Sequence, residues 1–248
     1  MIYSGVIYFF EIDAIECTSI TKNSLYFISN FTLHRLDLAN FTMTRIGVID
    51  CPSTESFYTS ALQSTGLIWI LMQSRRIYTY NITTGKCIET AQISNYSLSD
   101  FISMAFVKNE VDNTESLYFA DRNMLRIMDM NRYRVSNNAN FTNATVVSIS
   151  GAPDGKLYGL RYSGVFFYVQ EINKTNANVG TVYPIPVDNA ALGLAYFPYG
   201  SKFLLFIIYT NYTDIFLYDH RTNTTFSKLG NYSMFPYPDI SFSICFGT

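Results

Sequence analysis

Ten Asn-x-Ser/Thr triplets, beginning at Asn30, Asn40, Asn81, Asn95, Asn140, Asn143, Asn173, Asn211, Asn223 and Asn231, punctuate this 248-residue chain. Their chemistry is the attachment of sugar to the side-chain amide of asparagine, which needs the hydroxyl two residues on and an exposed loop. With 20 Asn, and roughly a fifth of the residues Ser or Thr, chance placement yields only about four such acceptors. The surplus predicts a chain that carries covalent N-linked glycans, passes through a glycosylating pathway and works outside the cell or at its surface.

Other chemistry is sparse. The two histidines, His34 and His220, lie mid-strand and at a turn, and read as structural or surface groups rather than general bases. No Gly-x-Ser-x-Gly, phosphate-binding glycine loop or metalloprotease helix occurs, so the sequence offers no nucleophile and predicts no catalytic residue. Asp100, Asp154, Asp188 and Asp239 are candidates for an axial calcium site, as in some propeller hydrolases, but none lies in a recognisable cation loop. The reading is therefore of a non-enzyme with no metal and no cofactor.

Composition points the same way. Charged residues make up 15% of the chain and aromatic residues 17%, with 20 Tyr and 20 Phe. A surface so poor in charge needs another source of solubility, which glycans would supply. The net charge of -2 leaves no electrostatic footprint for nucleic acid. The longest apolar run, 203–209, is far short of a membrane helix and reads as a buried strand. The N-terminus lacks a basic region and a cleavage site, so it is a poor signal peptide.

The elements that must carry these residues are strands. Five segments, Leu33–Leu38, Ile77–Ile82, Leu125–Met130, Phe167–Ile172 and Ile215–His220, share an apolar strand that ends at Asp37, Asn81, Asp129, Glu171 or Asp219 before a turn. A more aromatic strand precedes each, and before that comes one with small side chains, such as Phe57–Leu62 or Val146–Gly151. Small residues suit the crowded innermost strand of a propeller blade, and a polar fourth strand suits its exposed edge. The repeat of about 45 residues is that of propeller blades.

On the strands that open Leu25-Tyr26, Leu117-Tyr118 and Leu157-Tyr158, and on the strands that end in Asp, the chain resembles the extracellular β-propellers of the YWTD and NHL type. No blade carries a full Tyr-Trp-Thr-Asp, nor the Trp-Asp of WD40 repeats. The resemblance implies an all-β, single-domain propeller spanning residues 1–248. We count five complete four-stranded blades plus terminal strands, 6–12 and 240–246, which make a reduced sixth blade or one that a neighbouring subunit completes by strand addition.

Two further expectations follow from this layout. Cys17, Cys51, Cys87 and Cys245 form an even set that suits an oxidising compartment and permits three pairings; proximity at the ring closure favours Cys17 with Cys245, leaving Cys51 with Cys87. No sequon falls in a first-to-second turn, so a bare ring that includes Ser64, Gly66, Asp112, Asp154, Gly155, Tyr199 and Gly200 is expected to contact a protein partner, a second copy of the chain among the possibilities. Short Pro/Gly turns with no room for Asn-x-Thr are the simpler explanation. The functional expectation is a structural or adhesive component of a coat, filament or matrix. The alternative is a receptor-like or lectin-like recognition module, with a calcium-dependent hydrolase third.

Overall fold

The computed structural model describes residues 24–29, 31–52, 55, 57–93, 103–109, 111–112, 114–121, 123–141, 145–162, 167–185, 191–197, 202–208, 213–219, 226–232 and 241–244. Within them lie twenty strands. Blade I takes β1 (Ser24–Ser29), β2 (Thr32–Asp37) and β3 (Met43–Val48); blade II takes β4 (Phe57–Leu62), β5 (Leu67–Met72), β6 (Arg76–Asn81) and β7 (Cys87–Gln92). Blade III holds β8 (Ser103–Lys108), β9 (Glu115–Ala120), β10 (Met124–Asp129) and β11 (Arg134–Asn140), and blade IV holds β12 (Thr145–Gly151), β13 (Leu157–Tyr162), β14 (Phe167–Ile172) and β15 (Val179–Ile185). Blade V is β16 (Ala191–Phe197), β17 (Lys202–Ile208), β18 (Thr213–Tyr218) and β19 (Phe226–Tyr232); the last strand, β20 (Ser241–Ile244), returns to blade I.

All pairings are antiparallel, and the chain is an all-β propeller of five blades. The ring closes without a sixth blade among the described residues. β20 pairs with β1, Leu25 opposite Ile244 and Ile28 opposite Ser241, so the C-terminal strand supplies the innermost strand of blade I. The inner strands then touch in the cyclic order β4, β8, β12, β16, β20. This corrects the placement of 240–246 in a sixth blade. Segments 6–12 and 16–20, with Cys17 and Cys245, lie outside the described residues.

Alternation along each second strand explains why these strands read as unbroken apolar runs. In β1, Tyr26 and Ile28 join the core shared with blade II, while Leu25 and Phe27 join the core shared with blade V. Both faces of these second strands are buried, as in other sheets covered on two sides. At the axis the backbones converge: a Cβ on Gly151 of β12 would collide with the carbonyl of Phe106 in β8. Small hydroxyls tie the same strands together, Ser103 Oγ accepting from the Ile149 amide at 3.1 Å and Ser148 Oγ from the Leu194 amide at 3.3 Å.

The outer strands carry a β-bulge in every blade, opposite Leu33/His34, Ile77/Tyr78, Leu125/Arg126, Gln170/Ile172 and Ile215/Phe216. A bulge increases local twist and spoils the edge as a template for further strands.

The turn after the third strand of blades I to IV is built to one plan. The side-chain oxygens of Asp37, Asn81, Asp129 and Asn173 accept from the amides of Ala39, Thr83, Asn131 and Thr175, at 2.8, 2.9, 2.9 and 2.9 Å. Four residues on, Phe41, Gly85, Tyr133 and Ala177 have φ of 56, 68, 50 and 52°. Only one of the four is glycine, so the closed turn holds three side chains in a left-handed conformation that L-residues avoid. In blade IV the residue that closes the turn is Asn173, not Glu171, because a shorter side chain is needed to reach its own backbone two residues on. Glu171 instead pairs with Lys156 at 3.1 Å.

Candidate functional site

First-to-second and third-to-fourth turns share one face of the disc, here called the upper face. Two contacts mark the shared side. The Ile82 amide donates to Gly66 O at 3.3 Å in blade II, and Lys174 Nζ donates to Gly155 O at 2.6 Å in blade IV. The first-to-second turns of blades II to IV are 63–66, the described residues of 109–114, and 152–156. Gly66 and Gly155 adopt φ of 81 and 80°, which lets each tight turn close.

Of the bare-ring residues, Ser64 and Gly66 are half-buried, Asp112 and Asp154 are exposed, and Gly155 is buried. Tyr199 and Gly200 lie outside the described residues. Ser64 is held across the blade boundary by Glu115 of blade III, its amide 3.0 Å and its hydroxyl 2.8 Å from Oε2. Burial pushes the Glu115 carboxyl up, against the lowering pull of the Ser64 hydrogen bonds and the Lys108 charge. Asp112 Oδ1 accepts from the Thr114 amide at 3.0 Å and hydroxyl at 2.6 Å, and the hydroxyl bond holds its carboxyl below the usual range. Asp154 Oδ1 accepts from the Lys156 amide at 3.1 Å, so this candidate calcium ligand closes its own turn. Asp100, Asp188 and Asp239 lie outside the described residues, among which no group of three His, Cys, Asp or Glu could hold a metal ion.

The sequons divide. Asn40, Asn140 and Asn173 are exposed and Asn81 is half-buried; Asn231 lies in β19; Asn30, Asn95, Asn143, Asn211 and Asn223 are outside the described residues. Asn40 Oδ1 accepts from the Thr42 amide at 3.0 Å and hydroxyl at 2.6 Å, leaving its amide nitrogen clear of both bonds. Asn81 and Asn173 occupy the same turn position as Asp37 and Asp129. Their asparagines thus have a structural reason to be there that is independent of sugar.

Cys51 and Cys87 form a disulfide with Cα atoms 5.0 Å apart, tying the segment between blades I and II to the outer strand of blade II. His34 is buried and stacks on Phe27, ring centroids 5.3 Å apart, and burial followed by the Arg45 charge lowers its pKa. Trp69 is core: its indole donates to Gln63 Oε1 at 3.1 Å and meets Phe106 edge-on at 5.8 Å. His220, Phe235 and Tyr237 lie outside the described residues.

What the sequence reading missed is a cleft of about 280 Å³ on the upper face between blades III and IV. Val107 and Ile127 give it an apolar wall, while the hydroxyls of Ser116, Tyr118 and Thr175 line it. Lys108 and Asn109 of blade III and Lys174 of blade IV complete the lining. Strand register makes Tyr118 the equivalent of Trp69, and Ser116 the equivalent of Leu67. That alignment was the available signal, and it needs the pairing of β4 with β5 and of β8 with β9.

No family model and no curated protein matches the chain. Solved structures match the fold. A chain of hydrazine synthase from Kuenenia stuttgartiensis is 13% identical with a TM-score of 0.51, over 92% of this chain and 72% of that one. A protein of unknown function from Bacteroides thetaiotaomicron is 12% identical with a TM-score of 0.51, over 76% of this chain and 55% of that one. The Dos1 propeller is 13% identical with a TM-score of 0.49; 86% of this chain is covered, and it spans 57% of that chain. At these identities the likeness is of fold, and the fold hosts an enzyme in one of these cases.

Proposed function

We propose that the chain is a non-catalytic, N-glycosylated extracellular propeller, a structural or adhesive component that contacts a protein partner through the first-to-second turns of its upper face. The observation that carries this reading is the contrast around that face. Exposed acceptors Asn40 and Asn173 stand at the outer turns, whereas the tip of the inner turn of blade III exposes Val111 at 92% with no acceptor beside it. The Cys51–Cys87 disulfide is consistent with an oxidising compartment. No helix among the described residues is long and apolar enough to cross a membrane. Because β20 is used within its own ring, assembly by exchange of that strand is no part of the proposal.

One substitution tests the contact face. Asp112→Asn, followed by Asn113 and Thr114, creates an Asn-x-Thr triplet at a site that already has the hydrogen-bond geometry of Asn40 and Thr42. The protein secreted from a glycosylating host is expected to lose mass on treatment with peptide N-glycosidase and to sediment as an assembly that the extra glycan disrupts. A chain with no N-glycan defeats the glycoprotein reading, and assembly indifferent to a glycan at 112 defeats the contact face. The cleft favours a second reading, the recognition module, which need not self-associate.

A further inference from the structure

We propose that the cleft between blades III and IV is occupied from within the chain: the first N-acetylglucosamine of a glycan on Asn173 folds back into it, against Val107 and Ile127. The inference rests on the glycosylation proposed above and deepens it by naming where one sugar goes.

Acceptor and cleft belong to one element. The sequon is Asn173-Lys174-Thr175, and its last two residues are the blade IV wall of the cleft. Sugar joins such a triplet at the side-chain amide nitrogen of its asparagine. Asn173 is exposed, and its Oδ1 accepts from the amides of Thr175 at 2.9 Å and Asn176 at 3.3 Å, bonds that do not involve that nitrogen. A ring attached there starts two residues from a lining hydroxyl, so no long tether has to be ordered before it reaches the cleft.

The acceptor is also held still. The Asn173 amide donates to Asn178 O at 3.0 Å and the Ala177 amide to Asn173 O at 2.8 Å, with Ala177 buried at the base of the turn. Lys174 Nζ, donating to Gly155 O at 2.6 Å, ties this turn to the first-to-second turn of its own blade. With the anchor and the wall both fixed, the sugar gives up little freedom beyond that of its own linkage.

The surfaces suit this occupant. An N-acetylhexosamine sets its methyl and its C–H faces against Val107 and Ile127, and its hydroxyls and amide against the hydroxyls of Ser116, Tyr118 and Thr175. Pockets for drug-sized ligands run roughly 300–1,000 Å³, so a cleft of about 280 Å³ takes one ring, and the remaining sugars extend outward. The ring replaces water in an open cleft, so the readout is its exposure and not the melting point. Val111 and Asp112, at the tip of the blade III turn, are not lining residues, and the contact face proposed for that turn stays bare.

The test is glycan release from the native protein made in a glycosylating host, followed site by site by mass spectrometry. Peptide N-glycosidase is expected to free the sugar at Asn173 at least about tenfold more slowly than that at Asn40, because only molecules with the ring out of the cleft are cut. Ser116→Leu with Tyr118→Trp copies Leu67 and Trp69 of the II–III boundary and fills the cleft, and should bring release at Asn173 to the Asn40 rate. Ser116→Leu alone is the milder form should the pair not fold. A second measurement needs no variant: with the glycan trimmed to one sugar by endoglycosidase, magnetisation transfer from its N-acetyl methyl to the Ile127 side chain is expected. Release at Asn173 as fast as at Asn40, slow release that persists with the cleft filled, or no contact with Ile127 would overturn the inference and leave the glycoprotein reading standing. Asn173 without sugar overturns the inference, and a chain with no N-glycan overturns the reading beneath it as well.

Discussion

The boundary between blades II and III and the boundary between blades III and IV are built from the same repeat, yet one is filled and the other open. At the first, Trp69 lies edge-on to Phe106 and packs with Leu71, Phe119 and Met128, its one polar atom bonded to Gln63. At the second, Tyr118 stands where Trp69 does and Gly151 where Phe106 does, and the packed cluster below them leans on Ala105 and Ala120. Exchanging Leu67 for Ser116 and Trp for Tyr at matching positions removes volume at the upper end and adds hydroxyls. A repeat fold can thus open a binding cleft at one boundary while its neighbour remains a core, because each boundary packs almost independently.

The largest expected effect probes the filled side. Trp69→Ala should cost about 3–5 kcal/mol in chemical denaturation, as truncation of large buried aromatics does. Tyr118→Phe keeps the ring in its packing and should stay within about 0.5 kcal/mol of the parent. Equal losses at the two positions would erase the contrast.

Next in size is the staple beside the filled boundary. The double variant Cys51→Ser, Cys87→Ser should lose about 4 kcal/mol on the chain-entropy account of a loop with sequence separation 36, and reduction of the parent should reproduce the loss. A denaturation curve identical with and without reductant would remove the disulfide from the account of stability.

Gly151→Ala should destabilise by about 3 kcal/mol, since the methyl would meet the Phe106 carbonyl where β8 and β12 converge. This sharpens the comparison, for it separates the tight axial end of the III–IV boundary from its open upper end. A thermal midpoint unmoved by the methyl would mean that the inner strands stand further apart.

A smaller, pH-dependent effect belongs to Glu115. Its folded-state pKa is raised, so the native protein binds the proton more readily than the unfolded chain, and this group's contribution to stability grows as pH falls through the folded value and levels off below the unfolded one. Glu115→Gln should flatten that part of the stability profile and be neutral or stabilising at pH 7; an acid-labile parent rescued by the variant would reverse the sign. Smallest is Asn173→Asp, which keeps the turn residue type found at Asp37 and Asp129 and should leave the melting point unchanged while removing one glycan from the intact mass. A lost turn or an unchanged mass would show that the turn and the acceptor had been misjudged.

Much of this architecture is legible in the sequence. The turn-closing Asp37, Asn81 and Asp129, the small side chains of the inner strands and the apolar second strands follow from rules that act within a few residues. Glu171 departs from the pattern for a local reason: Asn173, two residues later, has the shorter side chain that the turn needs. Ser64, Gly66, Asp112, Asp154 and Gly155 were recognised as a ring of turns, because glycine and Asx residues announce turns. Lys108, Ser116, Tyr118 and Lys174 were not recognised as neighbours, since nothing in a strand's own pattern tells which residue of the next blade it will face.

The sequence by itself determined the strands, their alternation and the chemistry of each turn, for these are settled by short-range sterics and hydrogen bonds. Tertiary structure decided that the ring closes at five blades and that one boundary opens into a cleft. Both depend on which distant residues meet, Leu25 with Ile244 in the first case and the two walls of Lys108 and Lys174 in the second. Such meetings are fixed by how whole sheets pack around an axis, where the volume of one side chain is felt by the sheet that faces it.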